Sequence, residues 1–259
     1  MDEYRSGQNR KDLLKELVKT NFKLRYNNSL LGFLWVLMKP FFNFLILFIV
    51  FTAFRGGNTG PNYGANLLLG IIIFTFIQEG VILGMKSLLG NARIILKVNF
   101  PRQLAITSAL LNSLINLGIN VFVFITITVF ASFSPNLLGL LYVIAIIALL
   151  FFGTYSIALF TSILLVKVRD LDHIMELVMQ LLFWGSGVFY NINDIDGRFG
   201  TIIMLNPAAL LIDAARQALI YGKFAHLEQF VVLWILAIIV YLLGKRYFNN
   251  NIKKIAEFF

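Results

Sequence analysis

The chain has 259 residues, of which 59% are hydrophobic and 15% aromatic, with 26 phenylalanines, no cysteine and a formal net charge of +9. Only 14% are charged, against about 25% in soluble domains, so the apolar excess cannot fit inside one core of this size and has to face lipid. Thiolate metal sites, iron–sulfur ligation and cysteine nucleophiles are excluded, and in a membrane chain the basic balance reports topology before nucleic-acid binding.

Residues 1–29 are polar and charged, with no short apolar core before a small-residue cleavage site, so a cytosolic start is expected. Within them 11–25 reads as an amphipathic helix. At about 100° per residue, Leu13, Leu14, Leu17, Val18 and Leu24 share one arc, while Lys11, Lys15, Lys19 and Lys23 form a stripe at every fourth position. Such a helix is expected to lie in the membrane interface with its lysines near anionic headgroups; a solvated cytosolic helix is the plainer alternative.

Six apolar windows follow, at 30–54, 65–85, 104–130, 138–166, 174–190 and 227–244, each near the roughly 20 residues that a crossing helix needs. The fifth is short and ends in Trp184-Gly185-Ser186-Gly187, which predicts a broken or re-entrant end. Seventeen of the 22 lysines and arginines fall on one side of these windows and four on the other, with Lys39 inside the first. The positive-inside rule then puts both termini in the cytosol. Residues 1–29 are read as a cytosolic segment and 30–259 as one six-span domain, all-helical, with a cytosolic tail. The segment 86–103 reads as a basic, partly helical inward loop stopped at Phe100-Pro101. Residues 191–226 start too polar to span. Asn206-Pro207 predicts a new helix over 207–221, carrying Asp213 and Arg216 as an ion pair and dipping into the outer leaflet.

Motifs for chemistry are weak. The stretch Gly80-Val81-Ile82-Leu83-Gly84-Met85-Lys86-Ser87 fails as a phosphate-cradling loop, because Met85 separates the glycine from the lysine. Asn193-Asp194-Ile195-Asp196-Gly197 fails as a calcium loop, since isoleucines stand at the first and twelfth ligand positions. Asp170-Leu171-Asp172 reads as a helix-start cluster and not as a metal site. No catalytic or metal residue is assigned. Lys39 and Glu79 lie within spans, roughly 9–14 Å from the cytosolic boundary by helix rise, and are expected to form an ion pair. Trp35, Phe41, Phe42, Phe183, Trp184, Phe189 and Tyr190 are the candidates to line a path on which sugar rings could stack; lipid-facing bulk is the plainer reading.

Several stretches together resemble the membrane subunits of ABC-2 type exporters, in the branch that carries O-antigen, capsule or teichoic-acid polysaccharides. They are the run from Leu24-Arg25-Tyr26 through Leu34-Trp35-Val36 to Met38-Lys39-Pro40, then Asn99-Phe100-Pro101-Arg102, Val168-Arg169-Asp170-Leu171, Gly187-Val188-Phe189-Tyr190, and Leu205-Asn206-Pro207 with Arg216. Many members carry proline where this chain has Gly187. The resemblance implies a homodimer in the bacterial cytoplasmic membrane with two ATPase subunits on its inner face, ATP and Mg being bound there and no cofactor in this chain. It implies a lipid-linked glycan as substrate and no nucleic acid as partner. Lys11, Lys15, Lys19, Lys23 and Arg25 would then frame the headgroup entrance, Arg93, Lys97 and Arg102 the ATPase coupling surface, and Asn206, Pro207, Asp213 and Arg216 the outer gate. An exporter of drugs or small lipids is the alternative within the family. An ion-coupled secondary transporter would need more buried carboxylates than Glu79, and a membrane-embedded glycan-modifying enzyme would have to draw on Asp194, Asp196, Asp213, His226 and Glu228.

Overall fold

The computed structural model describes residues 7–26, 32, 34–54, 62–97, 100–130, 136–192 and 198–255. Among these, every regular element is a helix: α1 (Gly7–Tyr26), α2 (Leu34–Phe54), α3 (Tyr63–Gly90), α4 (Ala92–Lys97), α5 (Gln103–Phe130), α6 (Leu137–Lys167), α7 (Leu171–Trp184), α8 (Arg198–Met204), α9 (Pro207–Tyr221) and α10 (Leu227–Asn251). Five of them, α2, α3, α5, α6 and α10, are long and apolar enough to cross a membrane. The 193–197 turn considered above as a calcium loop lies outside the described residues.

The fifth window is cut short at the glycines that its sequence marks. Helix α7 has 14 residues, about 21 Å at 1.5 Å per residue, against a hydrocarbon thickness of about 30 Å. It stops at Gly185, whose N–H closes the last turn on the Leu181 carbonyl. The expected single crossing at 174–190 is therefore a short helix followed by a tight turn. Glycine placement, not apolar length, sets its end.

Helix α3 is the axis of the bundle. From Leu67 to Ile77 nearly every side chain is buried, because α5, α6, α9, α2 and α7 all pack around it. Helices α2 and α10 lie outside and leave broad apolar faces uncovered, among them Ile46 and Ile49 on α2 and Val231, Ile235 and Leu242 on α10. A water-soluble fold does not leave stripes of this size open; a bilayer covers them without cost.

The two ends of the bundle differ. Lys86, Arg93, Lys97, Lys167 and Lys245 gather at the end where α3 and α6 finish and α5 begins, here termed the basic end. There Leu17, Leu88, Ile95, Phe100, Phe248 and Ile255 form one buried cluster, so α1, α4, the α4–α5 turn and the last turn of α10 pack as a block. The aromatic end, where α3 begins, holds the larger cluster with Phe74, Ile146, Leu211 and Ala214.

Helix α1 covers the predicted 11–25 segment, and Lys11, Lys15, Lys19 and Lys23 are all exposed. Its apolar arc needs one correction. Leu17 is buried and Leu13, Leu14 and Val18 are half-buried, but Leu24 is 72% exposed. The arc packs on α5, and Leu24 falls beyond that contact.

Candidate functional site

Asn206, which caps α9, and Arg216 within it tie down the turn that follows α7. Asn206 caps α9 in the way its sequence predicts: its Oδ1 accepts from Ala208 N at 3.0 Å, while its Nδ2 donates to Gly185 O and Ser186 Oγ, both at 3.0 Å. Arg216 donates through Nε to Asn66 O at 2.9 Å, through Nη1 to Gly187 O at 2.7 Å and through Nη2 to Val188 O at 2.6 Å. A guanidinium keeps its proton in proteins, so these are charge-assisted bonds inside the bundle. The close approach depends on Gly70 of α3, because a Cβ there would collide with Arg216 Nη2.

The expected Asp213–Arg216 pair is corrected by this geometry. Arg216 is spent on backbone carbonyls, and Asp213 instead meets His226 at 2.9 Å. His226 precedes α10 with a φ of 62°, so the carboxylate holds the corner between α9 and α10. Helix α9 itself is buried from Ala208 to Leu219 apart from Gln217, packed on α3 and α6. The helix expected to dip into the outer leaflet thus has its apolar run covered by the chain itself.

Gly187 has a φ of 65°, and a Cβ would press on Ile192 Cγ1 at 2.8 Å. Proline fixes φ near −65°, so the proline found in many exporters of the resembled branch cannot adopt this turn. Gly187→Pro is expected to cost about 1–3 kcal/mol, read as a lower melting temperature in detergent, with Val188 becoming accessible.

Four of the seven aromatic candidates come together at this turn. Phe183 and Trp184 end α7, and Phe189 meets them at 6.2 Å and 5.0 Å between ring centroids, with Tyr190 at 5.0 Å. Two rings that sequence reasoning passed over complete the group: Phe51 stacks on Phe189 at 4.8 Å, and Phe74 meets Phe183 edge-on at 5.2 Å. Trp35 and Phe42 are half-exposed on α2 and Phe41 packs on Phe42 at 5.9 Å; among the described residues none of these three touches the α7 group. Along α2 the series continues through Phe44 and Phe48 to Tyr63, whose hydroxyl donates to Phe189 O at 3.4 Å.

The Lys39–Glu79 pair is not formed. Glu79 meets Arg25 Nη2 at 3.1 Å through Oε1 and accepts from Asn116 Nδ2 at 2.7 Å through Oε2. Lys39 is exposed on α2. The reason is that α1 runs beside α5: Asn21 donates to Ser108 Oγ at 3.2 Å, and one turn on Arg25 reaches Glu79 before Lys39 can. This exposes a polar ladder on α5 that was overlooked. Ser108, Asn112, Asn116 and Asn120 are all buried, and their spacing of four inside an apolar window was the available signal.

At the basic end Arg93 and Lys97 are exposed on α4, with Leu96 between them 54% exposed. Lys86 belongs to α3 and pairs with Asp172 of α7 at 2.7 Å. Arg102 is engaged differently from its two partners, donating to the Ile252 carbonyl. Beside it a groove of about 500 Å³ opens between the Phe100–Gln103 turn and the end of α10.

Residues 12–220 match the family model described as ABC-2 type transporter. The chain belongs to the ABC-2 type transporter family. It is also similar to two O-antigen export system permease proteins RfbA of Klebsiella pneumoniae, at 27% and 26% identity over 95% of this chain and 94% of each relative. A protein of the same name from Myxococcus xanthus is 24% identical over the same shares of the two chains. An ABC-2 permease is a membrane-transport component, and the helices α2, α3, α5, α6 and α10 fit that role.

Proposed function

We propose that this ABC-2 permease is the membrane subunit of an ATP-driven exporter that moves a lipid-linked polysaccharide of the O-antigen, capsule or teichoic-acid type across the bacterial cytoplasmic membrane. The observation that carries the proposal is the similarity to O-antigen export permeases, which runs over 95% of the chain and so takes in the α7–α9 junction as well as the helices. Two copies would assemble with two ATPase subunits, which bind ATP and Mg and hydrolyse it. The basic end would face the cytosol, as the lysine and arginine count requires. Helix α7 and the turn after it would complete a sixth crossing, with α8 and α9 folded back into the outer leaflet. Deep irregular backbone is tolerated where protein covers it, and α9 supplies that cover. The rings around Phe189 would offer stacking surfaces to successive sugars at the exit. Export of a drug or a small lipid is the alternative, and it makes no use of a ring series leading along α2 to the turn.

Reconstitution with a cognate ATPase tests this. ATP-dependent appearance of a lipid-linked glycan in the vesicle lumen is expected, with none for the permease alone or with a non-hydrolysing ATPase. A complex that moves small amphiphiles but no glycan sinks the proposal. On the α1 stripe, reversing Lys11, Lys15, Lys19 and Lys23 to glutamate is expected to reduce export strongly with assembly intact. Each lysine near an anionic surface is worth about 1 kcal/mol. Unchanged export would leave these lysines as a solvated face.

A further inference from the structure

We infer that a second copy of this chain docks its α7 against α2, and that Lys39 forms an ion pair there with Glu176 of the partner subunit. The inference rests on the proposal that two copies assemble, and adds the surface by which they do so.

Each copy carries both halves of the contact. Helices α2, α5, α6 and α7 follow one another around α3, so α2 and α7 are the two ends of an arc. Both leave an apolar face uncovered, with Trp35 and Ile46 exposed on α2 and Leu177 and Leu181 on α7. Lipid covers such residues well, but it cannot serve the polar groups that stand among them. Lys39 and Asn43 are exposed on α2, four residues apart, and Glu176 and Gln180 are exposed on α7 with the same spacing. Positions four apart share a helix face, so each apolar face carries a polar stripe. Ionisable groups within a crossing helix pair with one another or face a polar cavity. Lys39 lies in the crossing helix α2, and among the described residues no carboxylate pairs with it.

Glu176 has the opposite charge and is only loosely held in its own chain. Its side chain is 57% exposed, and Lys86 approaches it at 3.6 Å while keeping the closer Asp172 at 2.7 Å. Depth agrees as well. Both helices run toward the aromatic end, where Phe51 stacks on Phe189 at 4.8 Å and Phe189 meets Trp184 at 5.0 Å. Lys39 lies twelve residues before Phe51, and Glu176 lies eight before Trp184. Helix rise makes these distances about 18 Å and about 12 Å, and the long stem of a lysine spans much of the difference. Two copies with their basic ends on one side of the membrane share a two-fold axis along its normal. The contact then forms twice, α2 on α7 and α7 on α2, as a self-complementary interface requires.

The chain has no cysteine, so the test uses two full-length forms with different tags, co-expressed in native membranes. One carries Lys39→Cys and the other Glu176→Cys, and a short bifunctional thiol reagent is expected to give a covalent dimer bearing both tags. Lys39→Cys with Ile235→Cys on α10 is expected to give none. Dimerisation is then measured in liposomes by energy transfer between labelled copies. Lys39→Glu and Glu176→Lys are each expected to weaken the dimer roughly 10- to 100-fold, because like charges then face each other. The exchanged form, with both reversals in one chain, is expected to recover most of the affinity. Should Glu176→Lys fold poorly beside Lys86, Glu176→Gln replaces it, and an undiminished dimer with that variant overturns the pair. Dimers that ignore both reversals, or that cross-link through α10 and not through Lys39 and Glu176, overturn the inference and leave the two-copy assembly standing. A chain that stays monomeric at every density refutes that assembly and the interface with it. Cross-linked dimers that export no glycan with a cognate ATPase support the interface and refute the exporter alone.

Discussion

Arg216→Met is expected to loosen the α7–α9 junction while the rest of the bundle stays assembled. The substitution keeps the volume and removes the charged donors that reach Asn66, Gly187 and Val188. Hydrogen bonds from a charged donor contribute about 1.5–3 kcal/mol each, and orphaned buried carbonyls add to the loss, so at least about 3 kcal/mol of local stability is at stake. The chain has no cysteine, which makes a single reporter clean. Val188→Cys sits at a fully buried position and should react slowly with maleimide in the parent and rapidly beside Arg216→Met. Gly70→Val should reproduce that exposure from the other side, since its side chain would take the space of the guanidinium. Slow labelling in both variants would show that the turn is held by something other than this residue.

The second large effect is expected at the basic end. Arg93→Glu with Lys97→Glu reverses the exposed charges of α4 and leaves Ile95 seated in the cluster below. If α4 docks on the ATPase, association should weaken roughly 10- to 100-fold, as reversal of complementary charges at an interface does. The permease alone should melt at the parent temperature. Arg102→Ala should behave in the opposite way. It frees the Ile252 carbonyl and is expected to lower stability by about 1.5–3 kcal/mol, with a smaller effect on ATPase affinity. Pull-down against melting temperature separates the two. An ATPase that binds the α4 double variant normally would move the coupling surface elsewhere, and the groove beside Phe248 would be the next place to probe.

Arg93, Lys97 and Arg102 were indistinguishable in sequence as basic residues of one inward loop. They differ because α10 returns to this end: its last turn puts Phe248 and Ile252 beside Arg102, and only a chain folded back on itself brings position 252 to position 102. Lys39 and Glu79 were misjudged for a related reason. Their depths match along consecutive helices, but depth fixes one coordinate of three, and the helix that fills the space beside Glu79 is α1.

What the sequence determined by itself is what depends on local chemistry or on totals. Hydropathy and length identify the long helices because a bilayer leaves backbone polar groups no partner except their own helix. Asn206-Pro207 marks the start of α9 because capping acts over two or three residues, and the lysine stripe of α1 stays outside because its opposite arc is apolar. Only the tertiary structure decided the partners of the buried polar groups. A guanidinium among apolar helices needs acceptors, and Arg216 finds them at Asn66 of α3 and in the turn after α7, nearly thirty residues away in the chain. The same holds for the polar ladder of α5, where Ser108 accepts from Asn21 and Asn116 donates to Glu79 only once α1 and α3 lie on either side of it.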